Sequence, residues 1–141
     1  MKTTLLTAVG SASAASALRQ LRAMGHRVIG CDIYPQAWNI VSCETDAFFQ
    51  SVLATERDAY IVQMTEAVRR EHIDYLIPLT DVEVDVLCSC KAQFAALGCT
   101  ICTPDEPAAR LCRDKMKMAQ ELQGVCQTIP TRSPYGSWRS T

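Results

Sequence analysis

The feature that most constrains the fold of this chain is the alternation of an apolar strand and an amphipathic helix in residues 3–33. Residues 3–9 are β-branched and apolar and end at Gly10, which predicts a buried strand followed by a turn. Apolar residues then recur at helical spacing from Ala14 to Met24, and residues 27–33 predict a second strand. A unit of about 30 residues with this order is typical of a right-handed parallel β-α-β crossover.

The same N-terminal residues also resemble a secretory signal. Lys2 precedes an uncharged run, and Ala12-Ser13-Ala14 has the form of a cleavage site. Cleavage would remove the first strand and leave the helix with no sheet to cover, and the apolar centre is short and flanked by threonines. We therefore interpret residues 1–21 as strand, turn and helix, and we expect a cytoplasmic protein. No apolar run approaches the roughly 20 residues that span a bilayer, so no membrane association is expected.

Further along the chain the alternation repeats. Thr80 and Glu83 have the capping-box spacing that starts a helix, and Thr103 is predicted to cap another. The predicted elements are an edge strand at 47–49, a helix at 58–72, a strand at 74–79, a helix at 80–97, a strand at 99–103 and a helical face that runs to 122. This order predicts an α/β fold with a doubly wound, mostly parallel sheet in three layers, α/β/α.

Composition favours one domain, and we place it at residues 1–131, with 132–141 as a linker or tail. The net charge of −1 and the scattered basic residues argue against nucleic-acid binding. Most of the eight cysteines replace aliphatic residues in apolar patterns, so we expect reduced thiols that fill the core. A zinc site is not expected, because strand alternation separates Cys99 from Cys102, and Cys88 and Cys90 fall on different sides of a helix.

Ligands in doubly wound sheets bind outside the carboxyl ends of the strands, so the loops there hold the candidate site residues. Gly10 and Ser11 open a helix N-terminus that could attract an anion. Asp32 ends the next strand, where dinucleotide-binding domains carry a ribose-binding acid, but the glycine fingerprint is absent. From the residues alone, a Rossmann domain for NAD(P) or a nucleotide sugar and a non-catalytic module for a small anion both stay open.

One ordered series of residues resembles a known family. The Asp114-Lys115 pair is followed by a predicted helix, by Gly124-Val125 and by residues 129–131. This series is similar to the junction at which ATP-grasp enzymes pass from their N-terminal domain to their ATP-binding domains. The loop at Gly10 and the segments 25–32 and 73–83 occur in the matching order. Residues 1–131 thus resemble the pre-ATP-grasp domain of carboxylate–amine ligases such as the large subunit of carbamoyl phosphate synthetase.

The resemblance implies a reaction in which MgATP phosphorylates a carboxylate and an amine-type nucleophile displaces the phosphate. It implies that Lys115 contacts ATP, and that Gly10, Ser11, Asp32, Asp81 and Glu83 are candidate substrate contacts in one wall of the cleft. The implied partners are an ATP-grasp domain, in cis or as a separate chain, and a small-molecule carboxylate; a homodimer is left open. ATP and Mg²⁺ are implied for the full-length enzyme. Because the sequence ends where the ATP-binding domains should begin, we expect no catalytic residue, no metal site, no tightly bound cofactor and no activity from this chain alone.

Overall fold

The computed structural model describes residues 1–127. Within them lies one sheet with strands β1 (Thr3–Leu6), β2 (Arg27–Asp32), β3 (Ala47–Gln50), β4 (Tyr75–Ile77) and β5 (Thr100–Ile101). The helices are α1 (Ala14–Ala23), α2 (Arg57–Glu71), α3 (Asp81–Leu87), α4 (Lys91–Ala95), α5 (Glu106–Arg113) and α6 (Lys115–Glu121). Short 3₁₀ segments occupy Gln36–Trp38, Ile40–Glu44 and Cys88–Cys90. No helix among these residues is both long and apolar enough to cross a membrane.

The sheet is parallel throughout, in the order β3-β2-β1-β4-β5. At its centre, Leu5 pairs with Ile29 on one side and with Leu76 on the other. The chain winds outward from β1 to β3 and then crosses back to β4, so the direction of winding reverses between β1 and β4. This arrangement confirms the predicted doubly wound α/β fold and places the switch point, where such folds bind ligands, at the ends of these two strands.

Successive strand residues point to opposite sides of the sheet, so both faces of these strands carry apolar side chains. Helices cover both faces. Leu5 and Ile29 pack in a core with residues of α2, α3 and α4, including Met64 and Phe94. Their neighbours Leu6 and Val28 pack in a second core with α1. The two cores confirm the three predicted layers. Met24, which the helical pattern placed on the buried face of α1, lies just beyond the helix and is 70% exposed.

The first strand is shorter than predicted. It ends at Leu6 rather than Val9, and Ala8 has φ of 46°, a left-handed conformation that breaks a strand. Two longer-range bonds hold this segment to both neighbouring strands: the Thr7 N–H donates to the Ile77 carbonyl and the Val9 N–H to the Cys31 carbonyl, both at 3.2 Å. The early turn places residues 7–10 along the carboxyl edge of the sheet.

Two predicted helices are interrupted. The helix predicted over 80–97 breaks into α3, the Cys88–Cys90 turn and α4, because the side chains of Ser89 and Cys90 both donate to the Val86 carbonyl and compete with the helical bonds. The last helix begins at Glu106, with Asp105 rather than Thr103 at its N-cap. It stops at Asp114, whose carboxylate accepts from the N–H groups two and three residues on and starts α6.

The prediction that the thiols fill the core is correct for half of them. The buried cysteines are Cys31, Cys88, Cys90 and Cys99, and the exposed ones are Cys43, Cys102, Cys112 and Cys126. All eight are free thiols. The predicted tail at 132–141 lies outside the described residues.

Candidate functional site

A cavity of about 500 Å³ opens at the carboxyl edge of the sheet. The residues that follow four of the strands line it: Ala8, Gly10 and Ser11 after β1, Asp32, Ile33 and Tyr34 after β2, Val52 to Thr55 after β3, and Thr80, Val82 and Glu83 after β4. Tyr60 on α2 and Asn39 in the β2–β3 connection complete the wall. The cavity therefore lies at the switch point, where the fold brings separate loops together.

Gly10 and Asp32 meet at one end of the cavity. The Asp32 carboxylate, 5% exposed, accepts the Gly10 N–H at 2.8 Å and the Tyr34 N–H at 3.0 Å. The Asn39 side chain packs directly over Gly10, where a Cβ atom would collide with its amide oxygen and approach Asp32 Oδ2 to 3.0 Å. Gly10 is therefore required by close approach, and its N–H is occupied by a carboxylate of the protein itself.

Glu83 lies at the floor of the cavity, 7% exposed, and all its partners are neutral donors. Its Oε1 accepts the Tyr60 hydroxyl at 2.9 Å, and its Oε2 accepts the Thr7 and Thr80 hydroxyls at 2.8 Å each and the Thr80 N–H at 3.2 Å. The Thr80 hydroxyl in turn accepts the Glu83 N–H, which completes the predicted capping box of α3. Glu83 thus joins the residue that follows β1 to α2 and to the start of α3 beneath the cavity.

Burial and the Glu83 charge act on two neighbouring groups. Burial, followed by the charge of Glu83, raises the pKa of the Tyr60 hydroxyl, which therefore stays protonated as a donor to Glu83. Burial, followed by the charges of Glu83 and Asp32, raises the pKa of the Cys31 thiol well above its usual value. A thiol in that environment is a packing group rather than a nucleophile.

Apolar and aromatic side chains form much of the remaining wall. Tyr34, half exposed at the mouth, stacks against Trp38 with ring centroids 5.8 Å apart. Leu53 and Val82 are 48% and 42% exposed on the other loops that face the cavity. The mouth of the cavity therefore exposes several apolar and aromatic side chains.

Of the other predicted site residues, Ser11 lies at the cavity, whereas Asp81 and Lys115 do not. Ser11 lines it, with its hydroxyl 3.3 Å from that of Ser13. Asp81 does not line it and is exposed in an ion pair with Arg113 at 2.8 Å. Lys115, the first residue of α6, also lies outside the lining; it is exposed, and its ammonium donates to the Cys112 carbonyl at 2.9 Å.

Tyr60, Asn39 and the loop after β3 are lining residues that the sequence interpretation did not single out. Tyr60 had a usable signal, because it precedes Met64 by four residues and so lies on the same buried face of α2. Asn39 had none, since its position over Gly10 depends on how the β2–β3 connection folds back across the sheet.

The charges of the lining decide which ligands suit the cavity. Two carboxylates, Asp32 and Glu83, line it, and no lysine, arginine or histidine does so among residues 1–127. A triphosphate does not fit this environment, because like charges at close range repel strongly in a partly buried site. Within the same part of the chain no cluster of three or more His, Cys, Asp or Glu side chains is arranged to hold a metal ion.

Comparison with known proteins gives a family match. The family of PylC-like N-terminal domains matches residues 5–102, a range that includes the second half of β1, the other four strands and the whole cavity wall. No curated protein sequence matches the chain significantly.

Solved structures share the fold at low sequence identity. Glycinamide-RNase-transformylase T from Mycobacterium tuberculosis matches with a TM-score of 0.63 and 18% identity, over 92% of this chain and 34% of that one. The biotin carboxylase subunit of pyruvate carboxylase gives 0.60 and 14%, over 87% and 27%. N5-carboxyaminoimidazole ribonucleotide synthetase from Thermotoga maritima gives 0.59 and 18%, over 87% and 30%. The chain thus spans about a third or less of each of these solved chains.

Proposed function

This chain belongs to the family of PylC-like N-terminal domains, and from that membership we propose that it serves as the pre-ATP-grasp domain of an ATP-grasp ligase, where it forms one wall of the substrate cleft. The observation that carries the proposal is the cavity at the carboxyl ends of β1 to β4, within the matched residues. A cavity at the switch point is where a doubly wound domain presents its loops to a ligand.

In the proposed enzyme, ATP and Mg²⁺ are bound mainly by an ATP-grasp domain in cis or on a separate chain. There ATP converts a carboxylate to an acyl phosphate, and an amine-type nucleophile displaces the phosphate. The acidic cavity supports this division, because its negative charge disfavours a nucleotide triphosphate. Lys115 is our candidate ATP contact, since an exposed ammonium on the first turn of α6 is free to exchange the Cys112 carbonyl for a phosphate oxygen.

The experiment uses the protein that joins this chain to its ATP-grasp domain. Val82→Trp places a bulky side chain at the cavity mouth, and we expect it to raise KM for the carboxylate or amine substrate about tenfold or more while KM for ATP is unchanged. Val62→Trp is the matched control, because Val62 is a 56% exposed valine on α2 that does not line the cavity. Equal effects of the two substitutions, or a change confined to KM for ATP, would show that this cavity is not the substrate wall.

Lys115 is tested in the same protein. Lys115→Met removes the ammonium and retains an unbranched side chain, so we expect KM for ATP to rise several-fold with substrate KM unaltered. Lys117→Met is the control, since Lys117 is a nearby, 72% exposed lysine of the same helix. If both variants behave alike, Lys115 has no particular role at the nucleotide.

A further inference from the structure

We propose that the ligand of this cavity is an organic cation, a protonated amine on an apolar body, whose ammonium group lies against Asp32. The inference rests on the proposed function only in taking the cavity as the substrate-facing one. It deepens that function by assigning a charge class to the substrate part that this domain holds.

Hydrogen-bonding capacity separates the roles of the two buried acids. A carboxylate has about four acceptor positions. Glu83 accepts four hydrogen bonds, three at Oε2 from Thr7 and Thr80 and one at Oε1 from Tyr60, so at most about one position, at Oε1, is left for a ligand. Asp32 accepts two, both from backbone N–H groups, and about two positions remain. Asp32 has the larger free acceptor capacity and is therefore the main direct contact, and Glu83 adds negative potential from the floor.

These acids lack a positive partner within the described residues. All six hydrogen bonds to Asp32 and Glu83 come from neutral N–H or O–H groups, and no basic side chain lines the cavity. Two negative charges that are at least nine-tenths buried carry a desolvation cost, which a cation in the cavity would offset. The Gly10 N–H lies in the loop before α1 and could otherwise donate to an anion, but it is already bonded to Asp32.

The remaining walls match the body of such a ligand. Val52, Leu53 and Val82 offer apolar surface for an alkyl or aryl chain, and the half-exposed Tyr34 adds an aromatic side chain at the mouth. Aromatic faces attract ammonium groups through the ring quadrupole. Negative charge and aromatic surface thus favour the same class of ligand, and they oppose the dinucleotide and small-anion alternatives.

A titration of the 141-residue chain tests the inference with four probes of equal chain length: hexylammonium, hexanol, hexanoate and hexyl phosphate. In ¹⁵N–¹H spectra we expect hexylammonium to shift the amide signals of Gly10, Tyr34 and Thr55 saturably and to bind at least about tenfold more tightly than the other three. Tighter binding of hexanoate or hexyl phosphate at these residues would overturn the inference. Absence of saturable hexylammonium binding up to its solubility limit would overturn it equally.

Two kinds of variant locate the charge effect. Asp32→Asn should weaken hexylammonium binding about tenfold or more, whereas Glu66→Gln, which removes an exposed charge from α2, should not. Thr55 is exposed at the cavity, and its side chain makes no hydrogen bond to any other part of residues 1–127, so its variants test the same point if Asp32→Asn does not fold. Thr55→Lys should weaken and Thr55→Glu should strengthen binding, each about threefold or more.

Gln20 on the exposed face of α1 provides the controls for Thr55, because Gln20→Lys and Gln20→Glu change the net charge equally but away from the cavity. Equal effects at the two positions would contradict a site at the cavity.

The binding readout is also separate from catalysis. Hexylammonium binding without any ligase activity in the joined protein would overturn the proposed function alone, and ligase activity with an anion-selective cavity would overturn this inference alone.

Discussion

At the scale of single residues, the cavity depends on a buried carboxylate that is held by uncharged donors. Glu83 was predicted as the N3 residue of a capping box, and the sequence pattern Thr80-x-x-Glu83 was enough for that local geometry. Its bonds to Thr7 and Tyr60 were not predictable, because they join residues 76 and 23 positions away through tertiary packing. The same residue therefore has a local role, visible in the sequence, and a long-range role that only the fold reveals.

Removing one donor tests how much that network contributes to stability. Tyr60→Phe leaves Glu83 Oε1 without its hydrogen bond, and we expect the free energy of unfolding to fall by about 1.5–3 kcal/mol, as for bonds to charged groups. Urea unfolding of the two proteins measures this difference in free energy. Tyr75→Phe is the control, since its ring stacks on His26 and its hydroxyl has no hydrogen bond in the described part of the chain. Equal losses in the two variants would show that the hydroxyl bond contributes nothing.

Gly10 shows why a small residue stands at the first turn. Gly10→Ala places a Cβ against the Asn39 amide, and we expect a loss of about 1–3 kcal/mol in unfolding free energy, as for other overpacked sites. Adding Asn39→Ala removes the obstructing side chain, so the double variant should regain most of that loss. Chemical denaturation of both single variants and the double variant gives the coupling energy. Strict additivity would mean that contact with Asn39 is not the reason for glycine.

At the scale of elements, the strand and helix order followed from periodicity, but the helix breaks did not. The apolar face predicted over 80–97 continues across α3 and α4, with Val86, Cys90 and Phe94 all buried, so the pattern alone resembles one helix. The break arises from side-chain donors to the Val86 carbonyl, which hydrophobicity does not encode. Asp114 similarly ends one helix and caps the next within a continuous helical pattern.

The Asp114 cap gives a prediction for α6. Asp114→Ala removes the acceptor for the N–H groups of Met116 and Lys117, and such caps contribute about 0.5–2 kcal/mol. We expect hydrogen exchange of the α6 amides to accelerate by about threefold or more, while exchange in β1 and β2 is unchanged. Asp114→Asn retains an acceptor and should behave like the unaltered chain. If the α6 amides of Asp114→Ala exchange at the same rate as those of the unaltered chain, the cap does not stabilise α6.

The thiols give a second prediction at this scale. Cys43, Cys112 and Cys126 are exposed and should react rapidly with a thiol reagent at neutral pH. Cys102 should react more slowly, because partial burial of its thiol raises the pKa. The buried Cys31, Cys88, Cys90 and Cys99 should react only after unfolding; burial raises the pKa of Cys99 to about 11. Mass spectrometry of the labelled peptides checks the order, and early labelling of Cys31 or Cys99 would contradict the packing.

At the scale of the whole molecule, the doubly wound fold and the resemblance to a pre-ATP-grasp domain are both confirmed, by the sheet order and by the family match over residues 5–102. The fold was accessible from the sequence because alternating strands and helices leave few topologies, and the resemblance rested on the ordered series of segments from Gly10 to the Asp114-Lys115 pair. The cavity wall was accessible only in part. The strand ends pointed to Gly10, Ser11, Asp32 and Glu83, which do line it, but the same reasoning put forward Asp81, whose side chain pairs with Arg113 instead.

We expect the domain to become less stable as the pH falls into the acid range. Hydrogen bonds from Arg27, at 2.9 Å, and Arg70, at 3.0 Å, lower the pKa of Glu71 from its ordinary value of 4.5. The lowered pKa means that this contribution is complete above about pH 4.5 and is lost as the pH falls through the lowered value. Glu71→Gln should therefore reduce the unfolding free energy at pH 7 but make little difference near pH 2. If Glu71→Gln lowers the unfolding free energy equally at pH 7 and at pH 2, the ion pairs of Glu71 are not the cause of the loss.

The central claim is that this domain contributes a substrate wall and depends on an ATP-grasp domain for chemistry. Mg²⁺-dependent formation of ADP, measured on the purified 141-residue chain and on the same chain joined to its ATP-grasp domain, tests that claim most directly. The account predicts no ADP from the chain alone, and ADP formation from the joined protein that requires a carboxylate and an amine. Sustained, substrate-dependent ADP formation by the chain alone, or none by a correctly folded joined protein with any carboxylate–amine pair, would contradict it.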